Sequence, residues 1–242
     1  KVEMLGKVYH MLTLAYGVPP TEFTWSQRDK DGKVVSTDKY TPLSFYNKLW
    51  GYDLNNDYVL VMNDPSREYY KVYQIEYDRH TYDGHDWVYL NLPNEEVKPM
   101  LIASLKDSTA MYISCDVNKF LNRQKGVMDL KNFDYESLLG VTMTMDKKER
   151  IITHASASSH AMTLIAVDID KATSKPTKWM VENSWGKENG FKGNYIMTDE
   201  WFNEYMFRFV LNKKYVPESV AKLLKQKPIK LPAWDPMFAP EE

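Results

Sequence analysis

An imidazole and a carboxamide do chemistry together when a fold brings them within hydrogen-bond reach. In this chain His160 stands in "SSHAM", and Asn183 follows in "WMVENSWGKENG". A carboxamide oxygen accepts from one imidazole nitrogen and so fixes the tautomer and tilt of the ring. The other nitrogen is then left to take or hold the proton of a nucleophile. Trp185, two residues past Asn183, is placed to cover that hydrogen bond and keep water off it. A neutral Asn in this role, rather than an Asp, suits a thiolate–imidazolium pair that is already ionised in the ground state.

The elements that must position this pair are strands. His160 opens the β-forming run 160–170, and Asn183 comes at the end of the next, 177–185. A hairpin-like connection would set both side chains at one sheet edge. Upstream, residues 1–17 carry Val2, Leu5, Tyr9, Leu12 and Tyr16 at helical steps and stop at Gly17 and Pro19-Pro20. Residues 24–35 read as a hairpin turning at Asp31-Gly32. Residues 41–50 read as a helix with Thr41 as cap and Pro42 at its first position. Strands are expected at 58–64 and 110–117, and across part of 69–92. Helices are expected at 93–108, capped by Asn94, at 134–139, and at 198–205, capped by Thr198. A Gly-bearing loop, 186–193, leads to the strand "NYIMT", and "MFRFVLNKKYV" is another strand. Helices first and strands in series give an α+β fold with a mostly antiparallel sheet. We divide the chain at 1–108, 109–227 and 228–242, the last an extended arm stiffened by Pro228, Pro232, Pro236 and Pro240.

Composition narrows the function classes. A chain of 242 residues, 43% hydrophobic, buries a core for one large domain or two small ones. The formal net charge of −2 asks for neither a nucleic acid nor an anionic membrane. The basic stretch 212–227 reads as a solvated helix face rather than a nucleic-acid site. Cys115 is the single cysteine, so no internal disulfide framework exists, which fits an intracellular protein. No apolar run reaches the length of a membrane span. The start, "KVEMLGKVYH", lacks a Met and a signal-peptide layout, and reads like the inside of a helix. His80 and His85 lie near Asp78, Asp83 and Asp86, but their spacing matches no closed ligand set, so a solvated turn is expected and no metal or cofactor.

"SSHAM" with "VENSWGKENGFKGNYIMTDEWF" resembles the papain-like cysteine peptidases. "CDVNKF", "HAMT", "KWMVENSWG", "GNYIMTDEWF", "VPESV" and "LPAWDPM" are similar to the bleomycin hydrolase/aminopeptidase C branch, as is the earlier "TPLSFYNK". The resemblance implies a papain-like fold, with this chain as its C-terminal portion. It implies His160 as general base, Asn183 as its orienter, Trp185 as the shield of their hydrogen bond, and Ala161 lining the substrate cleft. It further implies peptide substrates, a homohexamer and a cytoplasmic setting.

The nucleophile is the difficulty. In papain-type enzymes roughly 130–150 residues separate the Cys from the downstream pair, and Cys115 is far closer to His160. The family's nucleophile also follows a Gln and begins a helix, whereas Cys115 ends the strand-like "AMYISC". Cys115 is therefore expected to be a structural thiol. The nucleophile and the oxyanion Gln are expected upstream of Lys1, on an N-terminal segment of the same protein. In the branch, the C-terminal arm lies in the cleft and gives exopeptidase action. The terminal carboxylate of Glu242 would then meet the free amino group of a substrate. His154 and His10 are expected to be loop and helix-surface residues. The alternative is a non-catalytic papain-like module, with nucleic-acid binding as its activity. The presence of both His160 and Asn183 favours the enzyme.

Overall fold

A computed structural model describes residues 2–81 and 83–237. The chain divides into two compact units, Lys1–Leu54 and Asn55–Glu242.

In the first unit, α1 (Val2–Tyr16) forms as expected and has no buried residue. β1 (Phe23–Arg28) and β2 (Val34–Tyr40) pair antiparallel from Phe23↔Tyr40 to Arg28↔Val34. The turn between them needs a left-handed residue, and Gly32 supplies it with φ 82°. α2 (Pro42–Leu49) starts at a reciprocal cap: the Thr41 hydroxyl accepts from Ser44 N, and the Ser44 hydroxyl accepts from Thr41 N. The helix sets Phe45 edge-on against Phe23, Trp25 and Tyr40, with ring centroids 5.1–5.3 Å apart. Such aromatic packing holds a unit too small for a large aliphatic core.

The second unit is built on one sheet. A single helical turn, α3 (Leu54–Asp57), leads into β3 (Tyr58–Met62), β4 (Lys71–Ile75) and β5 (Val88–Asn91). Helix α4 (Asn94–Lys106) follows, then β6 (Met111–Cys115), the two-residue strands β7 (Leu121–Asn122) and β8 (Val127–Met128), and the short helices α5 (Tyr135–Leu139) and α6 (Lys147–Ile152). The chain continues through β9 (His160–Ile169), β10 (Pro176–Glu182), β11 (Asn194–Thr198), α7 (Asp199–Tyr205), β12 (Met206–Asn212), α8 (Glu218–Ala221) and β13 (Ile229–Leu231). The strand order is β13-β4-β5-β3-β12-β6-β9-β10-β11-β8-β7. Most neighbours are antiparallel; β3–β5, β4–β13 and β8–β11 are parallel.

Period-two burial decides which way each strand faces. In β10, Trp179 and Val181 are buried while Lys178 and Glu182 are exposed. Trp179 stacks on Phe202 of α7, and Phe202 on Phe209 of β12, with centroids 4.8 Å and 5.7 Å apart. This stack packs α7 onto the strands that carry the candidate site.

Several expectations change in detail. Strands on both sides of Ser108 share the sheet, so the sheet runs across the division expected there. Asn94 does not cap α4: Pro93 holds the cap position, and the Asn94 side chain donates to Asn203 Oδ1 instead. The arm is partly sheet, because Ile229–Leu231 pairs with β4. It is also anchored further on. Asp235 is 1% exposed and ion-paired with Arg67, and Arg208 Nη2 donates to the Met237 carbonyl at 2.8 Å. Helix α6 was not foreseen, although Asp146 and Glu149 form a reciprocal cap of the D-x-x-E kind.

Lys147 of α6 is the tie between this helix and the sheet. Its Nζ donates to Asn63 Oδ1 at 2.6 Å, the Met206 carbonyl at 2.6 Å and the Asn203 carbonyl at 3.0 Å. Burial, more than any nearby charge, pushes its pKa from 10.5 down to about 7. Between those values the unfolded chain binds the proton and the folded chain does not, so this group makes stability rise with pH. Lys147→Met leaves three acceptors without their donor. At pH 9, where the folded amine no longer carries the desolvated charge, it should lower unfolding free energy by about 2–4 kcal/mol in urea titrations. The stability of the variant should also lack the upward slope above pH 7. An unchanged midpoint and slope would show that the amine does not tie the helix.

Candidate active site

Antiparallel pairing assembles the site from strand ends. β9 lies between β6 and β10, with Cys115↔His160 at one border and Glu182↔Thr163 at the other. His160 is held at the first position of β9 by its backbone. Ser114 Oγ donates to the His160 carbonyl at 3.0 Å, and Ser159 N donates to the Cys115 carbonyl at 3.0 Å. Asn183 follows β10, and its N–H donates to the Gly193 carbonyl at 3.0 Å.

The two side chains meet. His160 Nε2 lies 2.9 Å from Asn183 Oδ1. The same oxygen accepts the Ser184 N–H at 2.8 Å. That backbone donor fixes which end of the carboxamide points inward, since an NH2 group there would face an N–H. Nε2 must therefore carry a hydrogen, and Nδ1 is the nitrogen left to exchange a proton with a reacting group.

Trp185 covers the pair. Its ring lies 4.9 Å from the imidazole, centroid to centroid, at an interplanar angle of 35°. Tyr195 of β11 meets the indole edge-on at 5.7 Å. The Arg123 guanidinium, from the β7–β8 turn, sits 4.4 Å from the Trp185 ring centroid. The loop after Trp185 is shaped by glycine. Gly190 has φ 58°, and a Cβ there would come within 2.5 Å of the Asn194 carbonyl. Asn189 Nδ2 then donates to the Trp185 carbonyl at 2.6 Å and holds the cover in place. Arg123 and Tyr195 were not singled out in the sequence. Only the pairing of β8 with β11 brings the β7–β8 turn to the indole.

Cys115 is the pairing partner of His160 across β6 and β9, yet it is not equipped to react. It is 0% exposed, and no hydrogen bond joins its thiol to the imidazole among the described residues. Burial, and secondarily the Asp116 carboxylate, pushes its pKa far above the ordinary thiol value. A thiol in that setting stays protonated and packs as a small hydrophobe.

The remaining candidates are scattered. Ala161 is exposed and lines a hollow of about 430 Å³ together with Tyr112, Thr163, Glu182, Asn183 and Ser184. Glu242 lies outside the described residues. His154 and His10 are exposed. His80 and His85 are exposed, and Asp86 faces Arg79 and Gln74 instead. Among the described residues no three His, Cys, Asp or Glu side chains group as metal ligands would. In the basic stretch, Lys214 pairs with Asp107 and Lys222 with Glu218. No helix of the described residues is long and apolar enough to cross a membrane.

A bleomycin hydrolase from Homo sapiens is 41% identical over 241 residues, which cover 98% of this chain and 53% of that protein. An aminopeptidase C from Lactobacillus delbrueckii subsp. lactis is 37% identical over 244 residues, 99% of this chain and 54% of the relative. The crystal structure of PepW from Lactobacillus rhamnosis HN001 superposes with a TM-score of 0.91 at 34% identity, over 98% of this chain and 54% of PepW. The chain thus spans about half the length of the relatives it matches. The family model that fits residues 1–238 is that of the Peptidase C1-like family, and with the imidazole, carboxamide and indole assembled as described, this chain belongs to that family.

Proposed function

We propose that this chain carries the base-and-orienter half of the active site of a cysteine aminopeptidase. The observation that carries the reading is the 2.9 Å contact between His160 Nε2 and Asn183 Oδ1 beneath Trp185. On this reading the nucleophile comes from a segment outside these 242 residues and the chain alone is inactive; the burial of Cys115, the single cysteine, supports it. Relatives named bleomycin hydrolase and aminopeptidase C, each about twice the length of this chain, support the same substrate class.

The chemistry follows from the tautomer. His160 Nδ1 takes the thiol proton, and the thiolate attacks the carbonyl carbon of the scissile peptide bond. The imidazolium, held by Asn183 Oδ1, returns the proton to the leaving amine, and a thioester remains. Water then attacks the thioester as Nδ1 accepts its proton, releasing the acid and restoring the thiolate. Trp185 keeps bulk water from the imidazole–carboxamide bond throughout. The arm limits cleavage to the N-terminal residue, with the Glu242 carboxylate facing the substrate ammonium. Ala161 lines the cleft beside the base. A cytoplasmic homohexamer belongs to the same reading, with solution mass as its check.

Three outcomes test this in the enzyme completed by its thiol-bearing segment, assayed with aminoacyl fluorogenic substrates. His160→Ala should lower kcat by at least about 10³-fold, and Asn183→Ala by less. Cys115→Ala should keep the turnover and lose only packing stability. Deletion of residues 238–242, which spares the buried Met237, should turn single-residue release toward internal cleavage. Full turnover in His160→Ala, or none in Cys115→Ala despite native folding, would reverse the assignment of base and thiol. An unchanged product pattern after the deletion would remove the arm from the account.

A further inference from the structure

The hollow beside Asn183 has a chemistry that the proposed base, orienter and shield do not use. It sits on the solvent face of three adjacent strands. The pairings Tyr112↔Thr163 and Thr163↔Glu182 place these three residues in one row across β6, β9 and β10. With roughly 4.8 Å between neighbouring strands, Tyr112 and Glu182 stand about 10 Å apart with Thr163 between them. Thr163 and Ala161, both small, form the floor. Tyr112, 41% exposed, forms one wall, and exposed Glu182 with Ser184 forms the other. The volume, about 430 Å³, takes one long side chain.

Glu182 is the single charged residue among those lining the hollow. Among the described residues its carboxylate makes no ion pair and no side-chain hydrogen bond. Its neighbours across the sheet, Thr163 and Asn194, carry no charge. Asp199 is ion-paired with Lys98, Asp235 with Arg67 and Glu204 with Arg150, whereas Glu182 stands on the rim of a hollow with an aromatic residue across from it. An aromatic face opposite an unmatched carboxylate is a site for a cation. The ring quadrupole attracts the charge, and the carboxylate accepts its N–H groups. A planar guanidinium or an ammonium on a flexible stem fits the space between two such walls.

We propose that this hollow is a subsite for a lysine or arginine side chain of the peptide substrate, with Glu182 and Tyr112 as its specificity-determining residues. The inference rests on the peptidase reading above, because the hollow shares Asn183 and Ala161 with the candidate active site. It adds that the enzyme prefers a basic residue at one position near the scissile bond. Thr163 and Ala161 leave room for the stem, and larger residues there would close it.

The test uses binding rather than turnover, so that it stands apart from the peptidase reading. The His160→Ala form of the protein, with the thiol-bearing segment present, is titrated with C-terminally fluorescein-labelled tetrapeptides by anisotropy. One arginine is moved through the four positions, and each peptide is matched by one with citrulline in its place. Citrulline has the same shape and no charge. The expected result is an approximately tenfold tighter Kd for arginine than for citrulline at one position. Glu182→Gln should bring that ratio close to one, Glu182→Lys should invert it, and Tyr112→Leu should reduce it. The ratio does not depend on the fraction of protein that folds. A ratio near one in the Glu182-bearing protein at every position, or an arginine preference that survives both Glu182 substitutions, would overturn the subsite. Loss of hydrolysis in the His160-bearing enzyme, with the arginine preference intact, would instead overturn the peptidase reading alone.

Discussion

One hydrogen bond organises the candidate site: Asn183 Oδ1 to His160 Nε2, 2.9 Å long. Its direction is not free, because Asn183 Oδ1 also takes the Ser184 N–H. The ring is therefore presented with Nε2 protonated and Nδ1 toward any reacting group. Almost everything around the pair preserves that one geometry. The β6–β9–β10 register fixes where the two strand ends fall. The Gly190 loop lays Trp185 over the ring, and Arg123 and Tyr195 pack against the indole. A protein that needed only a packed β-unit would have no use for a shielded carboxamide–imidazole contact.

The same sheet also separates two sulfur roles. Cys115 is brought directly opposite His160 by strand pairing, yet it is fully buried and its pKa is pushed up. Proximity is not activation. A thiol becomes a nucleophile where positive charge or a helix N-terminus favours its anion. Cys115 has neither; it has a desolvated strand interior and the Asp116 carboxylate next to it. Solvation, not distance, decides its chemistry.

His160, Asn183 and Trp185 were legible in the sequence because local spacing carried them: a β run opening on His and the next ending near Asn. Thr41 and Thr198 were legible as caps for the same reason, since capping is a contact between residues three apart. What the sequence left hidden depends on non-local pairing. Arg123 meets Trp185 only through the parallel β8–β11 contact, and Tyr112 and Glu182 fall in one row only because both β6 and β10 pair with β9. Asn94 has the residue type of a cap, but its side chain pairs with Asn203, on a helix far along the chain. Lys147 looks like a surface lysine until Asn63 and two carbonyls of the α7–β12 segment surround it. The α6 cap is a local signal, Asp146 with Glu149, and is readable from the sequence. The arm's Asp235 reaches Arg67 by a pairing that no spacing rule anticipates.

The central claim is that His160 ionises a thiol that is not Cys115. It is tested most directly by alkylating the completed enzyme with iodoacetamide across pH 4–9 and locating the label by mass spectrometry. The account predicts rapid labelling of a cysteine in the added segment, persisting well below the ordinary thiol pKa, and its loss at low pH in His160→Ala. Labelling of Cys115, or a pH profile that is the same without the imidazole, would contradict it.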